Sequence, residues 1–287
     1  MPVDAYRLYR PERSTTSVVF SSPHSGREYP WAFLRQTVLD EHTIRSSEDA
    51  FVDMLFSDAP THGAPLIAAI APRAYIDLNR AADELDPALV AGARSATHNP
   101  RISAGLGVIP RVVANARAIY RGKIAQPEAE ARIDTYWRPY HACLQGLLDE
   151  AQAGFGESIL IDCHSMPRDA IDTIATGGKQ RPEVVLGDRF GASAGPEVVE
   201  RIEAAFRSAG LRVGRNAPFA GAYITKCYGR PAHRQHAVQV EIDRSLYMDE
   251  AAIRPNAQFA DFRRLMQSVI ADLAEIGRPR EMSLAAE

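Results

Sequence analysis

The sequence predicts an α/β protein with a mixed, mostly parallel central sheet flanked by helices. Short apolar runs rich in β-branched residues recur at 17–21 (SVVFS), 65–70 (PLIAAI), 158–162 (SILID), 184–187 (VVLG) and 237–242 (AVQVEI). Runs of this length, bounded by Gly, Pro or polar residues, read as buried strands. Stretches with helically spaced apolar residues lie between them. Such alternation builds a layered domain on a largely parallel sheet, and in these sheets sites form beyond the carboxyl ends of the strands.

The first strand ends before Pro23, so His24-Ser25-Gly26 falls where strand gives way to loop. Residues 48–59 carry Phe51, Met54 and Leu55 at helical spacing. The second strand is followed closely by Tyr75-Ile76-Asp77-Leu78. Residues 81–110, rich in Gly, Ala, Ser and Pro, read as a long irregular excursion of a kind that often carries function. Residues 127–153 read as a helix with Ile133, Trp137, Tyr140, Leu144 and Leu148 close to one face. The run at 158–162 is the cleanest buried strand, with His164 just past it, and helices are expected at 196–209 and 259–276. With no repeat and no Gly/Ser linker, the 287 residues are expected to form one catalytic domain.

Hydrophobic residues make up 46% and charged residues 24%, ordinary for a globular protein. A net charge of −3 with dispersed Lys and Arg points away from nucleic acid and anionic membranes as partners. No run approaches the ~20 apolar residues of a membrane helix. The N-terminal MPVDAYRLYRPERS lacks the apolar stretch of a secretion signal. Three cysteines, Cys143, Cys163 and Cys227, fit a reducing compartment, so a cytoplasmic location is expected.

Five groups of residues could carry chemistry. His24, after a strand and beside Gly26, is placed either to ligate a metal or to be satisfied by loop hydrogen bonds. His164 follows Asp162 by two residues at a strand end; the Asp could orient its ring, as ligating histidines usually require, or cap the next turn. Cys163 lies between them and should point the other way if the pleat persists. Glu48 and Asp49 follow two serines, and read either as helix-capping acids or as the source of a third ligand. Two His and one carboxylate would leave a fourth zinc position open to water. Asn79-Arg80 could grip a substrate carboxylate, Arg in bidentate fashion, or Arg80 could simply pair with Asp77 at the surface. Gln239, Glu241 and Asp243 share one strand face opposite Val240 and Ile242. A carboxylate in an otherwise apolar strand needs a reason, which a general base toward water or a salt bridge with Arg244 would supply.

Taken together and in order, PHSG (23–26), SEDAFVD (47–53), RAYIDLNR (73–80), GLGVIPR (105–111), DCHS (162–165), GAYITKCYGRP (221–231) and VQVEIDRSLYMDE (238–250) resemble the N-formylglutamate amidohydrolase family. The resemblance runs from about residue 17 to 270. It implies a fold like that of the zinc carboxypeptidases and aspartoacylases. It implies one zinc ion per chain, held by His24, His164 and one acid of the 48–49 pair. That acid is placed at Asp49, because the family text continues with Val-Asp-like residues three and four positions later; Glu48 remains open. Glu241 matches the catalytic glutamate, and Arg73, Asn79 and Arg80 the carboxylate-binding group. The chain departs at Ala50-Phe51, where an aromatic-His pair is common in the family, a difference that bears on substrate preference more than on the metal.

The activity so implied is hydrolysis of the N-acyl amide of N-formyl-L-glutamate or a similar small anionic N-acyl amino acid. Arg73 would stabilise the oxyanion, and Arg244 or Thr225 would meet a side-chain carboxylate. The 216–231 segment, with Gly221, Tyr223 and Gly229, would close over the substrate. The alternatives are a hydrolase of another N-acyl amino acid or cell-wall peptide, a non-catalytic metal- or ligand-binding homologue, and a cysteine hydrolase built on Cys163 and His164.

Overall fold

The computed structural model describes residues 4–94, 99–172 and 181–279. Its main sheet comprises β1 (Tyr6–Tyr9), β2 (Val18–Ser22), β3 (Leu66–Ala69), β4 (Ser158–Met166), β5 (Val184–Gly187), β6 (Val213–Arg215) and β7 (Gln235–Asp243). They lie side by side in the order β1-β3-β2-β4-β7-β5-β6. The pairs β3–β2, β2–β4, β4–β7 and β5–β6 are parallel; β1–β3 and β5–β7 are antiparallel. The sheet is therefore mixed and mostly parallel.

Both faces are covered, which is why the central strands read as continuous apolar runs rather than as alternation. On one face Val18, Phe20, Ile159, Ile161, Cys163, Val238, Val240 and Ile242 pack with α2 (Pro196–Ser208) and α4 (Phe259–Ile276). On the other, Val19, Ile67, Leu160 and Ala237 pack with α1 (Arg138–Phe155) and with Ile224 and Tyr228 of α3 (Tyr223–Tyr228). Burying each large aliphatic or Phe side chain contributes about 1.5–3 kcal/mol, which makes these two layers the main source of stability.

This pleat positions the candidate functional residues. Leu160, Asp162 and His164 share the α1 face of β4, and Ala237, Gln239 and Glu241 share the same face of β7, since side chains alternate along a strand. The register sets Glu241 beside His164 and Gln239 beside Asp162. On the other side Ser21 of β2 lies beside Asp162, so the chain leaving β2 delivers His24 to the same edge. Gly26 is required there, because a Cβ would come within 2.1 Å of the Ala71 carbonyl oxygen.

Two expected helices differ in outline. The 127–153 helix occurs as 126–132, a wide turn at Ile133–Trp137, and α1. In the wide turn Arg138 N–H bonds the Ile133 carbonyl five residues back; Pro139, without an N–H, removes a normal helical bond at this point. The 48–59 helix shrinks to Val52–Leu55, because Phe51 adopts a left-handed conformation (φ 67°) that halts the helix on its N-terminal side. No side chain caps this helix. Glu48 and Asp49 are thus not the helix-capping acids that their position after Ser46-Ser47 suggested. Among the described residues no helix is long and apolar enough to cross a membrane.

Candidate metal and catalytic centre

His24, Asp49 and His164 converge: one ligand atom from each lies within 4.8 Å of the other two, and all three residues are buried. Asp49 divides its two oxygens. Oδ1 accepts from Ser165 Oγ (3.2 Å) and Arg244 Nη2 (2.9 Å). Oδ2 faces His164 Nδ1 at 2.9 Å and His24 Nδ1 at 3.4 Å. Glu48 turns elsewhere, taking the Tyr29 hydroxyl at 2.6 Å and Arg45 at 3.0 Å.

Each imidazole is oriented from behind by an aspartate. His24 Nε2 meets Asp77 Oδ1 at 2.7 Å, and His164 Nε2 meets Asp162 Oδ2 at 3.0 Å. A proton on each Nε2 leaves the Nδ1 lone pairs directed at the shared centre, the tautomer a metal ligand needs. His24 Nδ1 is buried with no hydrogen-bond partner, an arrangement costly for an imidazole unless something else fills the position. A divalent cation bound by two imidazoles and one carboxylate satisfies that orphan and neutralises the facing oxygen, so the donor set fits the ion.

The sequence reading missed Asp77. Its alternative, a surface pair between Asp77 and Arg80, is corrected: Asp77 is buried, accepts from His24, and is bonded by Arg73 Nε at 3.1 Å. The signal was present as Ile76-Asp77-Leu78, a carboxylate between apolar neighbours, the same pattern that marked Glu241.

Burial opposes ionisation throughout this centre, but the partners prevail in most cases. Burial would lower the His164 pKa, yet Asp162 and Asp49 hold it well above the ordinary value. Burial would raise those of Asp49 and Asp77, yet His164 and His24 for the first, and His24, Arg73 and Arg80 for the second, hold both well below the carboxylate range. Glu241 is the exception. Burial pushes it up to about 7, with Asp49 adding to the effect and His164, Arg73 and Arg244 opposing it. Gln239 Nε2 donates to Glu241 Oε1 at 2.7 Å and fixes the carboxyl. A buried carboxyl poised near neutrality, next to the His24, Asp49 and His164 donor set, is suited to carrying a proton.

A cleft of about 300 Å³ opens over these groups, lined by His24, Asp49, His164, Glu241, Arg73, Asn79, Arg80 and Arg244 among others. Asn79 is largely committed to the protein. Its Nδ2 lies 3.2 Å from His164 Nε2 and 3.4 Å from both Asp162 Oδ2 and Gln239 Oε1, and its Oδ1 accepts from Ile224 N. Arg80 spends Nε and Nη1 on the carbonyls of Leu106 and Asn79. Tyr223 and Thr225 do not line the cleft. Tyr223 packs on Trp137 and His141, and buried Thr225 donates to the Ala222 carbonyl, because α3 turns both toward the protein interior. From the 216–231 segment it is 218–222 that borders the cleft, while Gly229 is packed so closely on Ser193 that a Cβ would approach within 2.4 Å. Cys163 faces the opposite core, fully buried, and burial raises its thiol pKa well above the ordinary value. A buried, protonated thiol is not a nucleophile.

The N-formylglutamate amidohydrolase family model matches residues 16–248. The N-formylglutamate deformylase of Pseudomonas aeruginosa is 32% identical over 269 residues, covering 92% of this chain and 93% of that protein. The N-formylglutamate deformylase of Pseudomonas putida is 33% identical over 237 residues, covering 81% and 82%. The fold matches the crystal structure of N-formylglutamate amidohydrolase from Ralstonia eutropha JMP134 with a TM-score of 0.88 at 35% identity, over 95% of this chain and 98% of that one. Agreement over nearly the full length, in both sequence and fold, settles the relationship: this chain belongs to the N-formylglutamate amidohydrolase family and is a hydrolase acting on an amide.

Proposed function

We propose that the chain is a single catalytic domain that hydrolyses the formyl amide of N-formyl-L-glutamate, using one zinc ion held by His24, Asp49 and His164. The observation that supports this most is the convergence of those three ligand atoms within 4.8 Å, beside Glu241. A zinc ion there supplies Lewis acidity, lowering the pKa of water toward about 7 and polarising the acyl carbonyl.

The chain's own residues do the rest. Glu241 accepts a proton from the attacking water and delivers it to the leaving nitrogen, which its position and raised pKa suit. Arg73, fixed through Nε by Asp77, offers its remaining nitrogens to the oxyanion. Arg80 keeps Nη2 for a substrate carboxylate, and Arg244 places a second guanidinium on the cleft wall. Asn79, whose Nδ2 faces Asp162 Oδ2 and Gln239 Oε1, acts as a positioning residue for those two side chains rather than as a carboxylate ligand. Tyr223 and Thr225 are assigned no contact with substrate. The products are formate and glutamate.

The test is turnover of N-formyl-L-glutamate beside N-acetyl-L-glutamate and a glutamyl peptide, before and after chelation and after zinc is restored. The proposal expects formyl turnover that disappears with the metal and returns with it. Full activity in stripped protein would overturn the zinc assignment, and turnover confined to the peptide would overturn the substrate.

A further inference from the structure

A second cavity, of about 750 Å³, adjoins the catalytic cleft. Arg73, Leu106, Pro167 and Arg244 line both spaces, so the larger chamber meets the cleft across these four side chains. The cleft alone, at about 300 Å³, is already at the lower end of the roughly 300–1,000 Å³ found for small-molecule sites. The chamber is far more space than a formyl group and a water need. Leu106, Pro110, Val112, Val113, Met248 and Ile253 give its wall a large apolar area, and charged groups such as Arg45, Glu48, Asp169 and Glu250 complete it.

The wall also carries an unusual backbone. Val112–Val113 pairs antiparallel with Arg117–Ala118, and the turn between them lines the chamber. Within it Asn115 and Ala116 are both left-handed, with φ of 58° and 56°. Asn tolerates that region and Ala rarely adopts it, and such backbone clusters at ligand clamps and active sites.

Charge indicates which half of a substrate would enter. The chamber's own Arg45 and Arg117 are bonded to Glu48 and Thr43, whereas Arg80 in the cleft spends only Nε and Nη1 on carbonyls and lies with Arg101 on the same wall, so the cleft pair is placed to meet the carboxylates of the amino-acid half. The acyl half then lies toward Arg73, Arg244 and the apolar chamber. We infer that the chamber is an acyl-side subsite, and that the enzyme also hydrolyses N-acyl-glutamates with apolar acyl chains of about four to six carbons, a size such an apolar space can hold. The inference rests on the amidohydrolase reading of the adjoining centre. The reaction is unchanged: water adds to the acyl carbon, the C–N bond breaks, and the nitrogen leaves protonated with a fatty carboxylate as coproduct.

The experiment compares kcat/KM for N-formyl-, N-butanoyl- and N-hexanoyl-L-glutamate in the zinc-loaded wild type and in Ala114→Trp and Ala104→Trp. Both alanines are exposed on the chamber wall and have no role at the centre. The wild type is expected to process the hexanoyl substrate, and each Trp to lower that kcat/KM by about 10–200-fold, the scale of a filled apolar pocket, with the formyl substrate unaffected. Formyl turnover with no hexanoyl turnover overturns the subsite alone. Equal losses on the formyl and hexanoyl substrates overturn the acyl-side assignment. Absence of turnover on every substrate overturns the amidohydrolase reading and the subsite with it.

Discussion

Replacing Glu241 by Gln removes a charge and a proton acceptor while preserving shape. The Gln side-chain oxygen can still accept the bond that Gln239 Nε2 makes at 2.7 Å. Loss of a general base costs about 10²–10⁴ in kcat, or about 3–5 kcal/mol of barrier. Stability should move the other way. A carboxyl raised from 4.5 to about 7 by burial costs the metal-free fold about 3 kcal/mol once it is ionised. Below pH 4.5 the group is protonated in both the folded and unfolded chain, and the cost is absent. Between pH 4.5 and about 7 the unfolded chain releases its proton first, so stability falls as pH rises, and above about 7 the full cost applies. Metal-stripped Glu241→Gln should therefore melt several degrees above the wild type at pH 8, with the gap closing as the pH approaches 4.5. In the zinc-loaded enzyme the cation opposes the effect of burial, so the acid limb of kcat/KM should fall at or below about 7. The assays are steady-state turnover with zinc content measured alongside, and thermal unfolding across pH. Undiminished kcat, or a lower melting temperature for the variant at pH 8, would refute this assignment of Glu241.

Three further expectations concern neighbouring residues. Asp162→Asn and Asp77→Asn, which loosen the orientation of His164 and His24, should each weaken zinc affinity about 10–100-fold in equilibrium dialysis; unchanged affinity would mean the aspartates do not organise the ligands. Because His164 is held protonated at pH 7 in the metal-free protein, zinc binding should expel a proton, seen as a dependence of calorimetric heat on buffer ionisation enthalpy. Binding without proton release would contradict that charge state. Cys163→Ser should leave kcat within a few-fold of wild type, since the thiol faces the opposite core; a loss on the scale of Glu241→Gln would revive a cysteine mechanism.

Much of the architecture was legible because burial on both faces writes central strands as unbroken apolar text. Ile159 to Asp162 and Val238 to Ile242 fall within strands, and the Asp162–His164 spacing put two groups of the candidate site on one face. What stayed hidden is non-local. The direction of β5 against β7 depends on the chain's path, and Tyr6–Tyr9 pairs antiparallel with β3 from far away in sequence. The short helix at Val52–Leu55 followed from one left-handed residue, Phe51, whose side-chain type gives no warning of it. Within the site, the choice between Glu48 and Asp49 could not be made from adjacent carboxylates. It depends on Tyr29 and Arg45 drawing one away, and on Ser165 and Arg244 fixing the other. Tyr223 and Thr225 seemed near the chemistry because their segment borders the cleft, but the helix that carries them buries Thr225 and packs Tyr223 on Trp137 and His141.

The proposed chemistry depends on a metal where the loop after β2, the Asp49 segment and the end of β4 meet. Anomalous diffraction at the zinc edge, from crystals of the zinc-loaded enzyme, tests it most directly. The predicted result is one strong peak at about 2.0–2.2 Å from His24 Nδ1, His164 Nδ1 and an Asp49 oxygen, with Glu241 close by but not coordinated. A peak centred elsewhere, or none in protein that turns over N-formyl-L-glutamate, would contradict it.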